Sequence, residues 1–227
     1  MDKDGLVFTH ITEFMRKIRR ERDGEIGALE RMARNAGYPI ADPETSDLIE
    51  ILCYIKKPSE ILEIGTCIGF SSLLMLSVTP DAKITTIERN PVMIAPAKEN
   101  FARFNAKNVT LLEGDATKIL PTITKKADFI FIDAAKGQYP LFLKECVRLL
   151  NNEGVLVCDN VLFNGRVATK IPDIRRNKTI INRLSSFLDD LEGEKSLKTV
   201  ILPISDGVTV SIKKDSLDEK AMSEMRA

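Results

Sequence analysis

Four polar residues in the second half of the chain have types and spacing that point to metal-assisted chemistry. Asp133 ends the run Phe129-Ile130-Phe131-Ile132-Asp133-Ala134-Ala135-Lys136. Asp159 and Asn160 end Val155-Leu156-Val157-Cys158-Asp159-Asn160. Two carboxylates and a carboxamide are hard oxygen donors. They suit Mg²⁺, with water and substrate oxygens completing an octahedron, and Mn²⁺ or Ca²⁺ would accept the same donors. Lys136, three residues after Asp133, reaches the same pocket. Taken singly, Asp159-Asn160 also reads as a capped turn and Lys136 as a solvated lysine.

A second group lies upstream, in Glu63-Ile64-Gly65-Thr66-Cys67-Ile68-Gly69-Phe70-Ser71, after a strand-like run and at the opening of a helix. Gly65 and Gly69 let the backbone turn tightly and approach a ligand, and the helix start offers free N–H groups. The spacing lacks the third glycine of the dinucleotide fingerprint and no Lys-Ser/Thr pair follows. Alone, it reads equally as a binding loop and as a plain strand-to-helix turn. Glu88, about 20 residues on, sits at a strand end and can accept both ribose hydroxyls of a nucleoside cofactor. Gly114-Asp115-Ala116, after the next strand, offers an acceptor for an adenine amino group. These positions leave a nicotinamide cofactor and S-adenosylmethionine both open.

The elements that carry these residues alternate. Five short apolar runs read as strands: Glu60–Ile64, Lys83–Glu88, Val109–Glu113, Phe129–Asp133 and Val155–Asp159. Apolar residues at consecutive positions fit strands buried on both faces of a parallel sheet. Helical stretches near 71–78, 91–105, 138–150 and 173–191 separate them, which indicates βαβ units in a doubly wound sheet. Ligands of such sheets bind beyond the carboxyl ends of the strands, where Gly65, Glu88, Asp115, Asp133 and Asp159 all fall. Leu197–Ile204 and Val208–Lys213 flank Ser205-Asp206-Gly207, a strong hairpin signal. Residues 6–36 read as one helical stretch, and Thr45 or Ser46 caps a further helix that Pro58 ends. The chain is expected to form one domain over 1–227, with 1–45 as a helical addition and 215–227 as a loose charged tail.

The chain has 227 residues, 44% hydrophobic and 29% charged, with 33 basic against 33 acidic side chains. That is ordinary for a globular protein and excludes disorder as the main state. No apolar run approaches the roughly 18 residues of a membrane span. The N-terminus lacks a secretory h-region, and Cys53, Cys67, Cys146 and Cys158 form no CxxC pair, so reduced thiols in the cytoplasm are expected. One histidine, His10, makes a zinc site or a histidine-based hydrolase improbable.

Taken together, these motifs resemble the cation-dependent, S-adenosylmethionine-dependent O-methyltransferases, which include catechol and caffeoyl-CoA O-methyltransferases. The similarity spans roughly residues 40–214, through EIGTCIGFS, TTIER, FIDAAKGQY, VLVCDN and LPISDG in order. It implies a Rossmann-like methyltransferase fold with a seven-stranded, mostly parallel sheet closed by an antiparallel hairpin. It implies metal ligation by Asp133, Asp159 and Asn160, and proton abstraction by Lys136. Cofactor contacts map onto Ile40, Glu63, Gly65, Ser71, Glu88, Asp115, Ala116 and Asp133. DAAKGQY and DNVLFNGRV look most like the bacterial branch that methylates wobble 5-hydroxyuridine in tRNA to 5-methoxyuridine. Ala134-Ala135 stand where the catechol enzymes carry a tryptophan. The competing substrate is a small catechol or hydroxycinnamoyl-type phenol.

A tRNA partner needs cations near the site. Arg166, Lys170, Arg175, Arg176 and Lys178 follow the second carboxylate motif, and Arg16, Lys17, Arg19, Arg20 and Arg22 lie near the start. The first set is favoured for phosphates and the second reads as a solvated helix face. Because several acids belong to the pocket, a neutral total leaves the remaining surface more basic than the sum. A homodimer is expected from surplus apolar positions in the first helix. An oxidoreductase using a nicotinamide, and an RNA-binding module without activity, are the readings from other classes.

Overall fold

The computed structural model describes residues 7–170 and 177–215. Its elements, in order, are helices α1 (Thr9–Ile18), α2 (Gly24–Asn35) and α3 (Pro43–Lys56), then strand β1 (Glu60–Ile64), α4 (Phe70–Val78), β2 (Lys83–Glu88), α5 (Pro91–Arg103), β3 (Val109–Glu113) and α6 (Ala116–Ile119). There follow β4 (Ala127–Ile132), α7 (Tyr139–Leu149), β5 (Leu150–Cys158), α8 (Arg166–Thr169), α9 (Asn177–Gly193), β6 (Leu197–Leu202) and β7 (Val208–Lys213). The seven strands lie in the order β3-β2-β1-β4-β5-β7-β6. The first five are parallel, and β7 pairs antiparallel with both β5 and β6. The expected doubly wound sheet with a closing antiparallel pair is what the chain builds.

The consecutive apolar residues of β4 explain its central place. Ile130 and Ile132 face one layer with Tyr139, Phe142 and Phe187 from α7 and α9. Phe129 and Phe131 face the other, with Ile49 and Cys53 of α3. Residues one apart on a strand point to opposite faces, so an unbroken apolar run is what a sheet covered on both sides requires.

The structure corrects four expectations. The stretch 6–36 is two helices, broken at Arg19, whose backbone is extended (φ −61°, ψ 132°), and restarted at Gly24 with φ 65°. The break lets Arg19 and Arg22 turn toward α3, and a side chain at position 27 would run into the Arg22 carbonyl. Neither Thr45 nor Ser46 caps α3. Pro43 opens the helix after Asp42, and both hydroxyls lie inside it. β5 begins at Leu150 rather than Val155, because Leu150 pairs with Ala127 across an irregularity that polar Asn151, Asn152 and Glu153 hide in sequence. β6 stops at Leu202, before Pro203. The start of the 173–191 helix and the tail after 215 lie outside the described residues. Cys53, Cys146 and Cys158 are buried free thiols and Cys67 is half-buried. Among the described residues no helix is long and apolar enough to cross a membrane.

Candidate active site

Three residues sit one step beyond the carboxyl ends of neighbouring strands, each tied there by a continuation of the sheet ladder. Gly65 N–H donates to Ile87 O at 3.0 Å, Asp133 N–H to Ile64 O at 2.9 Å, and Asp159 N–H to Ile132 O at 2.9 Å. β1 has β2 on one side and β4 on the other, so this is the point at which strand order reverses. Gly65 has φ 102°, and a Cβ there would run into the Asp133 carbonyl oxygen. Glycine is therefore required by both conformation and close approach.

A cavity of about 270 Å³ opens over this rim. Gly65, Cys67, Glu88, Ala116, Asp133 and Lys136 are among its lining. Glu88 is held by three backbone N–H groups: Cys67 at 2.9 Å on Oε2, and Arg89 at 2.9 Å and Asn90 at 2.8 Å on Oε1. Its carboxylate is thereby fixed at the pocket edge with lone pairs to spare. Asp115 stands beside the pocket. Its Oδ1 accepts from Thr117 N–H at 2.9 Å and Thr117 Oγ1 at 2.7 Å, which caps α6 and holds the carboxyl below its usual range. Ile40 packs against the cluster around α2 and α4, next to the lining residue Pro39.

Glu63 and Ser71 are buried and are not among the lining residues of this cavity. Glu63 is fully buried, and its Oε2 accepts from Thr86 Oγ1 at 2.5 Å and from Ser72 Oγ. Its Oε1 meets no protein donor among the described residues. Burial, only partly offset by these hydroxyls, pushes its pKa up to about 7. Sequence reasoning did not single out Cys67, Met93, Gln138 or Phe142 as lining residues. Cys67 lay inside a quoted motif, but a thiol there carried no separate signal.

The second half of the rim is acidic. Lys136 Nζ donates to Asp133 Oδ1 at 2.9 Å. Asp159 is 1% exposed, and burial together with the charge of Asp133 pushes its pKa up to about 8. Its Oδ1 accepts from Asn160 N–H at 2.7 Å and lies 3.4 Å from Thr45 Oγ1. Asn160 has φ 56°. Tyr139, buried between α7 and the sheet, donates its hydroxyl to Asp159 O at 2.9 Å and lies 3.3 Å from Ile132 O. It thereby clasps the ends of β4 and β5. Two carboxylates, one of them held from ionising by burial and by its neighbour's charge, beside a carboxamide, form a donor set that a divalent cation fits. Among the described residues no group of three or more His, Cys, Asp or Glu could hold a metal.

The two basic clusters part ways. Arg16, Arg19 and Arg22 pair with Glu44, Asp47 and Glu50 of α3 at 2.8, 2.7 and 2.8 Å, a ladder with a constant offset of 28 residues. Glu30 also accepts from Arg22 at 2.9 Å. Arg19 and Arg22 are therefore structural, whereas Arg16, Lys17 and Arg20 are exposed, as a solvated face requires. Lys170 and Lys178 are exposed, and the guanidinium of Arg166 lies 5.4 Å from the ring centre of Phe163. Arg175 and Arg176 fall outside the described residues. Arg183 of α9, which the sequence did not single out, donates to Gly137 O at 2.9 Å, one residue from Lys136.

Comparison with known proteins places the chain among methyltransferases. Residues 28–214 match a family model described as O-methyltransferase. Tricin synthase 2 of Oryza sativa subsp. japonica is 27% identical over 90% of this chain and 70% of its own. A Staphylococcus aureus crystal structure, provisionally described as a caffeoyl-CoA O-methyltransferase, is 34% identical with TM-score 0.80, covering 90% of this chain and 97% of that one. The SAH-bound methyltransferase PaMTH1 of Podospora anserina is 27% identical with TM-score 0.81, covering 91% and 94%.

Proposed function

The chain belongs to the O-methyltransferase family, as an S-adenosylmethionine-dependent enzyme acting on hydroxyl groups, and from that premise we propose that its acceptor is the 5-hydroxyl of wobble 5-hydroxyuridine in tRNA, with Mg²⁺ dependence. The observation that carries the site is the ladder-locked stagger of Gly65, Asp133 and Asp159, with Lys136 bonded to Asp133.

S-adenosylmethionine supplies an electrophilic methyl group on sulfur. A divalent cation, when bound, supplies polarisation of the acceptor's oxygens. The remaining work falls to the protein. Gly65 lets the backbone come close to the cofactor, and Glu88 accepts from its ribose hydroxyls. Asp133, Asp159 and Asn160 would hold the cation, at the place where two neighbouring acceptor oxygens would have to lie. Lys136 Nζ takes the hydroxyl proton. Orientation of two reactants accounts for much of the acceleration in such a reaction.

The 5-hydroxyl and 4-carbonyl of 5-hydroxyuridine are vicinal oxygens, which the same donor set can serve much as it would a catechol's, and one feature favours 5-hydroxyuridine. The cavity lining contains one aromatic ring, Phe142, and no tryptophan, so a catechol finds little to stack upon. Arg183, Lys170 and Lys178 offer cations for the phosphates. The alternative acceptor is a small phenol of catechol or hydroxycinnamoyl type, in keeping with the caffeoyl-CoA activity ascribed provisionally to the S. aureus relative.

Methyl transfer from labelled S-adenosylmethionine to tRNA of cells lacking this gene, beside a phenol panel and with and without chelator, tests the proposal. Labelling of the tRNA alone, abolished by chelator, is expected. Labelling confined to phenols overturns the substrate, and chelator-resistant transfer overturns the cation.

We also propose a homodimer. α1 turns its charged face to α3 and leaves Phe14 and Ile18 62% and 65% exposed, beside an α3 that exposes Ile51 and Ile55. A second copy meeting the same surface about a twofold axis covers both patches.

A further inference from the structure

The turn Ser205-Asp206-Gly207 does more than join β6 to β7. The residues that follow Asp159 adopt an unusual path: Asn160, Phe163, Asn164 and Gly165 have φ of 56°, 47°, 53° and 71°. Left-handed backbone at a residue as bulky as phenylalanine persists only where the surroundings enforce it. Here three successive contacts do so. Val161 N–H donates to Gly207 O at 2.9 Å, Leu162 N–H to Asp206 O at 3.0 Å, and Asn164 N–H to Asp206 Oδ1. Gly207, with φ 85°, is needed for the fit, because a Cβ there would lie 2.5 Å from Leu162 Cγ. The turn itself is braced, since Gly207 N–H donates to Ile204 O at 2.8 Å and Ser205 Oγ lies 3.4 Å from Glu44 Oε2 on α3.

We propose that Asp206 is a positioning residue of the methyl-transfer site: its carboxylate clamps the 160–165 loop and thereby sets the direction of the Asn160 carboxamide. This rests on the reading of Asn160 as a cation ligand. Asp206 contacts no reacting atom in this role. It acts through the Asn164 amide, and an asparagine, whose Oδ1 also accepts, can replace it.

The test compares Asp206→Ala and Asp206→Asn by amide hydrogen exchange over 160–165, by Mg²⁺ titration calorimetry and by S-adenosylmethionine affinity. Asp206→Ala is expected to speed exchange at Asn164, the amide that loses its acceptor, at least roughly tenfold and to weaken Mg²⁺ binding about 10–100-fold, the usual effect of losing an outer-shell partner. Cofactor affinity should stay within about twofold, because Gly65 and Glu88 lie on other strands, and Asp206→Asn should lie within about threefold of wild type. Unchanged exchange in Asp206→Ala, or an Asp206→Asn as impaired as the alanine variant, overturns the clamp. Absence of Mg²⁺ binding by the wild type overturns the cation reading instead, and the exchange comparison then decides the clamp by itself.

Discussion

Lys136 Nζ and Asp133 Oδ1 lie 2.9 Å apart, so the group proposed to take a proton is bonded to a group proposed to hold a cation. The turn Lys136–Gln138 between β4 and α7 fixes this distance, and Arg183 secures it from outside through Gly137 O. Replacing Lys136 with alanine or with arginine should separate charge from proton acceptance. Arginine keeps the cation but cannot give up its proton. Both variants are expected to lose about 10²–10⁴-fold in kcat, the usual contribution of a positioned base. Cofactor affinity, read by calorimetry, should change little. Near-wild-type turnover in Lys136→Arg would remove the lysine from the proton's path.

Glu63 makes stability depend on pH in a direction opposite to that of a salt-bridged carboxylate. The folded protein keeps this carboxyl protonated up to about pH 7, whereas the unfolded chain releases the proton near 4.5. Between those values unfolding releases a proton, so stability falls as pH rises from 4.5 to 7 and levels off outside that window. The loss is on the order of 3 kcal/mol. Glu63→Gln, uncharged at every pH, should remove this component. Urea unfolding of the chelator-treated protein at pH 5 and pH 7.5 measures it, and an unchanged pH slope in the variant would refute the assignment.

Much of the sheet was legible because its signals are local. β1, β2, β3 and β7 follow directly from short apolar runs bounded by turn residues, and Asp206-Gly207 marks the hairpin. The rim was legible for a related reason. In a parallel sheet the residue after each strand falls on one edge, so Gly65, Asp133 and Asp159 converge once the strands are placed. What was hidden depends on partners distant in sequence. The break between α1 and α2 is set by carboxylates 28 residues away, which periodicity does not reveal. Tyr139 reads as an ordinary helix residue until its hydroxyl is seen on the Asp159 carbonyl. Glu63 carries no sign in sequence that the hydroxyls of Ser72 and Thr86 meet its carboxyl.

The ion-pair ladder turns α1 inside out relative to a usual surface helix. Its Arg16, with Arg19 and Arg22 just beyond it, pairs with α3, none of the residues of α1 is buried, and Phe14 and Ile18 face outward. Glutamate at Phe14 and at Ile18 should therefore leave the fold intact and convert the proposed dimer to a monomer, as read by sedimentation equilibrium. Arg22→Ala acts differently. Arg22 is 9% and Glu30 6% exposed in side chain, so the variant strips one partner from a buried carboxylate that Arg19 and Arg34 still reach. A stability loss of about 1–3 kcal/mol is expected, less than for a buried charge left alone. A dimer that survives both glutamates would place the apolar face of α1 outside the interface.

The same ladder decides which cations can meet a polyanion. Arg19 and Arg22 have partly spent their charge on Asp47, Glu50 and Glu30. Lys170 and Lys178 are exposed, and Arg183 borders the turn that carries Lys136. Each phosphate contact contributes close to one to the slope of log affinity against log salt. Alanine at Lys170, Lys178 or Arg183 should weaken tRNA binding and lower that slope by about one apiece, without altering cofactor affinity. Alanine at Arg19 should leave the slope unchanged and appear only as lost stability. Binding curves between 50 and 200 mM salt (roughly the range in which such contacts differ most) separate the two surfaces. Should the slope fall with Arg19 and hold with the other three, the tRNA would lie across α1 rather than beside the acceptor site.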